Sequence, residues 1–468
     1  MGSKLTHSKI TTDYAENLLE FITGVHQSTS DLLSELEEIH AYTSKIISDE
    51  ILWPMSLPSL LPEDEEIPIA YYGESNVGKL KTLYRLGLGH RYGRSMQSIA
   101  GLHYNFSLSD NFWNYAKNSQ KNNSSIRDYK DEQYFKLIRN YRRYSWVLTY
   151  LFGASSVVHE SFLRGKSHSL LPLTSDSFYT EYGTSLRMGG LGYTSNAQKN
   201  IAICYNKLNT YVSTLEKSRQ ESYPLYEKIG LKDGDKFKQL NTNLLQIDNE
   251  FYSTIRPKNI AKSKESALKA LNERGIEYIE VRLLDIDFDS KLGTNETQIK
   301  FLHIFLLWCL STDSPVISNE ECEEIDSNFD KVVRLGRQDN LLLSKNGVEI
   351  SINDFLNNIF MELKKFADIF ENVDNSYSVA VSSEEKKIED KNRLPSSKLI
   401  ERVKKEGFLE SLTKLAKSHK ENFEISDETF TKFKSYAEQS HNSEKFLLDN
   451  DSMTFENFLN RYFEDIKI

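Results

Sequence analysis

Cysteine is scarce. Cys204, Cys309 and Cys322 are the only three in 468 residues, too few and too scattered for a disulfide framework or a CxxC-type zinc site. That usage fits a reducing compartment, and a cytoplasmic location is expected. Positive charge is also in deficit: 58 Lys and Arg against 68 Asp and Glu give a formal net charge of −10. This argues against a general binder of nucleic acid or of an anionic membrane, while leaving room for a local basic pocket that takes phosphates. Long apolar runs are missing as well. The longest, residues 301–310, is interrupted by His303, is too short to span a bilayer and reads as a buried helix. Residues 1–12 hold no apolar stretch of signal type, and no internal repeat or low-complexity tract is evident. What remains is the composition of a soluble globular chain, 39% hydrophobic and 27% charged. Its partners are expected to be small molecules.

Two stretches alternate cleanly enough to read as strands with a chemical face. In Tyr278-Ile279-Glu280-Val281-Arg282-Leu283, the residues Ile279, Val281 and Leu283 share one side and Tyr278, Glu280 and Arg282 the other. A carboxylate and a guanidinium pointing the same way suit a metal-bound polyphosphate, the acid holding the cation and Arg forking onto phosphate oxygens. A cross-strand salt bridge on a solvated sheet is the plain alternative. In residues 99–108, His103, Asn105 and Ser107 face away from Leu102, Tyr104, Phe106 and Leu108.

Elsewhere the pattern is less decisive. Asp13, Glu16 and Glu20 align on one face of a helix, or Asp13 and Glu20 converge across a bulge in an irregular strand; the spacing allows both. Residues 29–50 read as a helix, and residues 52–58 are kept extended by proline. Residues 73–79 match the GxxxxGK part of a P-loop, but Leu80 stands where Ser or Thr would bind magnesium. Residues 134–146 mix basic and aromatic residues at helical spacing, which reads as a buried helix with a basic outer face. Residues 244–252 read as a further strand followed by a basic loop at 255–258. Beyond about residue 353 the chain turns to charged helices, with polar breaks expected at 382–387 and 395–397.

Taken in order, Ile10-Thr11-Thr12-Asp13, Leu52-Trp53-Pro54, Tyr72-Gly73-x-Ser75-Asn76-x-Gly78, Arg91-Tyr92-Gly93, Gly101-x-His103-Tyr104-Asn105-Phe106-Ser107, Thr184-Ser185-Leu186-Arg187, Leu191-Gly192-Tyr193-Thr194, Ile255-Arg256-Pro257-Lys258 and Ile276 to Arg282 resemble the proteobacterial type of glutamate–cysteine ligase, or gamma-glutamylcysteine synthetase. The resemblance covers roughly residues 1–290. It implies an α+β, glutamine-synthetase-like fold: an antiparallel sheet with a concave active-site face, outer helices and a helical C-terminal region. A catalytic domain over 1–352 and a helical region over 353–468, packed on the same domain, are expected. The implied reaction joins the gamma-carboxylate of L-glutamate to the amine of L-cysteine at the expense of ATP, with Mg²⁺, or Mn²⁺ in its place. The implied metal ligands are Asp13, Glu20, His103 and Glu280, with Arg282 stabilising the transferring phosphoryl group. Tyr14, Tyr84, Leu88, Gln97, Tyr193 and Tyr252 are implied to form the cysteine pocket, Arg187 to meet a substrate carboxylate, and Lys81 and Arg85 to serve nucleotide or substrate charge. A monomer is expected.

Two departures qualify the likeness. The family begins a few dozen residues earlier with a strand reading Gly-x-Glu-x-Glu whose glutamates complete the metal sites, and Gly189-Gly190 stands where Ser-Asp is expected. The first departure raises two alternatives, a truncated product and a catalytically silent relative that still binds nucleotide, amino acid or protein. A P-loop NTPase built on residues 73–79 is a third.

Overall fold

The computed structural model describes residues 1–468 apart from 193–195, 200, 202 and 263–264, so Tyr193 lies outside the described residues. Its centre is the strand Tyr278–Leu284, here β5, flanked antiparallel by β3 (Leu102–Phe106) and β4 (Ile255–Lys258). Ile279, Val281 and Leu283 are buried as their alternation requires. Full burial of such side chains contributes roughly 2 kcal/mol each. They pack into a core shared with two long helices, α3 (Ile126–Phe152) and α4 (Glu296–Ser311). Residues 134–146 and 301–310 lie within these helices, the first as its helical spacing predicts and the second as its short apolar run does. No helix among the described residues is long and apolar enough to cross a membrane.

The alternation of β5 breaks once. Val281 faces Tyr104 and Leu284 faces Leu102, so β5 spends one more residue than β3 over that span. Such a bulge bends the strand and re-aims a side chain. Here it falls beside Arg282.

Two strand assignments need correction. Residues 244–252 are not a strand: the backbone N–H groups of Leu240 and Gln246 are tied to the side chains of Gln246 and Glu250, and residues 248–250 make a 3-10 turn. The strand is instead the stretch read as a basic loop, Ile255–Lys258. Pro257 is tolerated because β4 is an edge strand, its outer side unpaired in the order β3-β5-β4. The single sheet expected is also found in pieces. Strands β1 (Ile10–Thr12) and β2 (Leu19–Phe21) form a separate hairpin across the cavity from β3.

Helices α1 (Thr29–Ile46) and α2 (Asn76–Tyr92) frame that hairpin. Ser75 caps α2, and Gly78 is required because a Cβ there would meet the Tyr72 carbonyl oxygen at 2.4 Å. The P-loop reading fails on what fills this turn. The N–H of Asn76 donates to the Asp451 carboxylate at 2.5 Å, and Lys79 is paired with Glu74 at 3.2 Å. The anion that a helix N-terminus favours is supplied by the chain itself.

After α5 (Asn319–Leu335) and a short antiparallel hairpin of Leu342–Lys345 with Val348–Ser351, the C-terminal region is a run of helices: α6 (Ile352–Ala367), α7 (Ser376–Glu389), α8 (Pro395–Glu406), α9 (Phe408–Glu421), α10 (Asp427–Asp449) and α11 (Phe455–Asp465). The polar run at 382–387 is no break, since it lies inside α7 and buries Glu384 against Lys387. Pro395 opens α8 at its first turn, where a missing N–H costs nothing. Residues of α6 and α7 join the main core. Behind β3, Tyr104 is hydrogen-bonded to His303 at 2.5 Å, and Tyr377 of α7 lies 3.4 Å from the other ring nitrogen. The C-terminal end thus braces both β3 and α2.

Replacing Asp451 by Ala should leave the Ser75 cap in place but strip the Asn76 N–H of its acceptor, and cost about 1 kcal/mol in chemical denaturation. An unchanged midpoint would mean that the tail contact carries no stability.

Candidate active site

The hairpin supplies the first pair of acids. After β1 the chain turns through residues 13–18, with the Asp13 N–H donating to the Leu18 carbonyl (2.9 Å) and Thr11 facing Glu20. Neither form the sequence left open is adopted, and a turn brings Asp13 and Glu20 into each other's field. Glu16 points elsewhere, to Lys4 and to the N–H of Tyr71. Both residues are exposed to the cavity, with their carboxylates ringed by protein. That enclosure raises the Asp13 pKa against the pull of Arg85 and Arg282, and it raises Glu20 to about 7 with further help from the charge of Asp13.

Strand β5 supplies the second cluster. Glu280 accepts from Arg282 (3.0 Å) and lies 3.9 Å from His103 Nδ1. Burial works to raise its pKa, but Arg282, Arg256 and Lys258 outweigh it and hold the carboxyl at about 2. Enclosure and the neighbouring Arg282 push His103 down to about 3, so its imidazole is neutral.

Helix α2 brings a third group. The guanidinium of Arg85 lies over the Tyr72 ring (4.3 Å) and donates to the backbone carbonyl of Asp13, fastening the end of β1. Lys81, one turn earlier, sits over the same ring at 5.3 Å.

All of this surrounds one cavity of about 1600 Å³. Asp13, Glu20, His103, Arg282 and Arg85 line it, and so do Tyr14, Tyr84, Leu88, Gln97, Tyr252 and Arg187. The amide of Gln97 donates to the Tyr252 hydroxyl at 2.5 Å, which sets one polar point in an otherwise weakly polar wall. Tyr14 is buried with its hydroxyl lacking a partner among the described residues. Arg187 is almost wholly buried, donating to the carbonyls of Leu283 (3.0 Å) and Arg282 (2.8 Å) and lying 3.5 Å from Asp285. It thereby clamps its loop to the end of β5 while still facing the cavity. Neither Arg256 nor Lys258 stands out as a site residue from the sequence alone. Register places Arg256 directly opposite Glu280, a signal hidden by reading their segment as a loop.

Among the described residues no three Asp, Glu, His or Cys side chains are close enough to hold one cation. The site instead offers pairs, Asp13 with Glu20 and Glu280 with His103. Two cavity-facing carboxylates, one of which raises the pKa of the other, are a donor set suited to a hard divalent cation whose other ligands are water or phosphate.

An α+β fold that gathers paired carboxylates and several guanidiniums over a deep cavity defines a site for polyanions with their cations, the equipment of a phosphoryl-transferring enzyme. A family model described as glutamate-cysteine ligase matches residues 1–332, and the chain belongs to the glutamate–cysteine ligase family. The chain is 41% identical to the glutamate–cysteine ligase of Pseudomonas putida, covering 99% of this chain and 89% of that one. It is 42% identical to that of Hahella chejuensis, over 99% and 90%. The crystal structure of the Francisella tularensis glutamate–cysteine ligase in complex with AMP superposes with a TM-score of 0.93 at 36% identity, over 99% of this chain and 92% of that one.

Two outcomes follow. Glu20 holds its proton to about pH 7 when folded and to 4.5 when unfolded, so in the absence of a cation its stabilising contribution is present below pH 4.5 and is lost as pH rises through about 7. Added Mg²⁺ should therefore raise the melting temperature more at about pH 8 than at about pH 5.5; equal gains would contradict the paired-acid site. Replacing Tyr14 by Phe removes an unsatisfied buried hydroxyl, and the melting temperature should hold or rise. A clear fall would mean that the hydroxyl has a partner.

Proposed function

We propose that this chain ligates the gamma-carboxylate of L-glutamate to the amine of L-cysteine with ATP, through gamma-glutamyl phosphate, giving gamma-glutamylcysteine, ADP and phosphate, the first step of glutathione synthesis. The observation that carries it is the Glu280–Arg282 pair on β5, backed by core, with Arg282 lining the same cavity as Asp13 and Glu20 and lying in their field.

A carboxylate does not acylate an amine unaided, since its leaving group would be oxide. Phosphorylation of the gamma-carboxylate solves this, and the work left to the protein is alignment and charge neutralisation. Arg282, free of competing backbone bonds on its cavity side, stabilises the transferring phosphoryl group. Glu280 holds Arg282 in place and stays ionised at every working pH. Asp13 and Glu20, with Glu280 and His103, would hold Mg²⁺, or Mn²⁺ given the imidazole, and the bound ion would neutralise phosphate charge. Tyr14, Tyr84, Leu88, Gln97 and Tyr252 form a weakly polar acceptor pocket that suits the cysteine side chain. Arg187 meets a substrate carboxylate, and Lys81 and Arg85 balance charge on the hairpin side. The protein works as a cytoplasmic monomer on these small molecules.

The edges of β2 and β3 that border the cavity are unpaired among the described residues. A strand of the Gly-x-Glu-x-Glu type would pair there and add carboxylates to both pairs.

Release of ADP is the test, with glutamate and cysteine each omitted in turn. Turnover that needs both amino acids is expected. Replacing Glu280 by Gln should lower kcat/KM by about 10³-fold, and replacing Lys79 by Ala should leave it within about twofold. A chain silent alone but active when a Gly-x-Glu-x-Glu segment is supplied locates the remaining ligands on a strand beside β2 and β3. Silence in both cases favours the binding-protein reading.

A further inference from the structure

Glu250 is buried, 1% exposed, at the end of the 3-10 turn that precedes Tyr252. Its carboxylate takes three donors. Oε1 accepts from Arg91 (3.0 Å) and from the Tyr92 hydroxyl (2.7 Å), both at the C-terminal end of α2, and Oε2 accepts from the Gln246 N–H (2.5 Å). The Arg91 side chain is as deeply buried as its partner and also donates to Gln239 (2.9 Å) and to the Asn241 carbonyl (2.6 Å). Burial strips water from both charges, so such a pair is a weak source of stability; what a fully hydrogen-bonded one supplies is a single geometry.

That geometry spans the acceptor pocket. Tyr84 and Leu88 line the pocket from α2, and Tyr252 lines it from the loop. Gln246, whose N–H Glu250 receives, donates its side-chain amide to the Tyr84 carbonyl (3.2 Å) and lies against Gly87, where a Cβ would overlap it. Gln198 makes the second tie. Its Nε2 donates to the Tyr92 hydroxyl (3.1 Å) and to the Glu250 carbonyl (3.0 Å), and its Oε1 accepts from the Tyr252 N–H (2.8 Å). The backbone of the turn is held separately, since Arg256 donates to the carbonyls of Asn249 (3.0 Å) and Phe251. The Glu250 side chain therefore contributes the link to α2 rather than the fold of the turn. None of its three donors belongs to β3 or β5, the strands that carry His103, Glu280 and Arg282.

We propose that Glu250 is a positioning residue for acceptor selection: by tying Arg91 and Tyr92 of α2 to Gln246, it fixes the gap between Tyr84 and Tyr252, and that gap sets the length of acceptor side chain admitted. The assignment rests on the ligase reading and deepens it. A general scaffold role competes, because loss of a buried carboxylate leaves Arg91 without its counter-charge.

Two variants separate the roles. Glu250→Gln keeps the shape and loses the charge that holds Arg91. Tyr92→Phe keeps Arg91 paired and removes one bond to Glu250 and one to Gln198, so it decides the matter if the first variant fails to fold. In the full chain, KM for cysteine should rise about tenfold in Glu250→Gln and about threefold in Tyr92→Phe, with KM for glutamate and for ATP within about twofold. Preference for cysteine over homocysteine, one methylene longer, should fall about threefold or more in both. Cysteine affinity titrated without ATP should fall in the same order. Unchanged cysteine KM and unchanged preference in both variants overturn the proposal, as does a joint rise of all three KM values, which marks a scaffold residue. Failure of the ligase reading is distinguishable: Glu250-dependent cysteine binding without ADP release keeps the positioning role and sinks the ligase, whereas full turnover with Glu250-independent selection does the reverse. A parent chain that neither turns over nor binds cysteine overturns both.

Discussion

The carboxylate of Glu280 is the point on which the site depends. It projects from a strand whose other face is core, so it cannot swing away, and it is held ionised by three cations on its own side of the sheet. Fixed charges on a rigid, enclosed surface are worth more than the same charges in water, because no reorganisation is needed when the reaction begins. The bulge beside Arg282 belongs to the same design. It breaks the alternation at one residue and sets the guanidinium against Glu280 and near the neutral imidazole of His103.

Everything else serves to hold that face opposite a second, acidic one. Helix α2 carries Arg85, which grips the end of β1, and the far C-terminal segment in turn holds the start of α2 through Asp451. Behind β3, the chain of Tyr104, His303 and Tyr377 connects the sheet to α7. The late helices therefore support the cavity walls, and residues of α5 and α9 line the cavity themselves.

The parts of this arrangement that were legible in the sequence are those governed by local periodicity. Strands β3 and β5 alternate, α3 and α4 repeat at helical spacing, and ordered motifs identify the family. The parts that were hidden depend on partners distant in sequence. Asp13 and Glu20 meet through a turn that neither helical nor strand spacing announces. Residues 244–252 look like a strand because Leu245 and Ile247 alternate with polar residues, yet Gln246 and Glu250 are buried and spend their side chains on backbone. Ile255–Lys258 looks like a loop because it contains Pro257, which only its edge position excuses. The role of Arg256 follows from register with Glu280, and register across 24 residues is invisible in a single chain.

The account's central claim is that the gamma-carboxylate of glutamate is phosphorylated before the amine attacks. Glutamate labelled with ¹⁸O in that carboxylate tests it directly, with the inorganic phosphate released during turnover examined by mass. One ¹⁸O should pass to phosphate in each turnover. Phosphate free of label, with product still formed, would contradict the acyl-phosphate route and the use assigned here to the Glu280–Arg282 face.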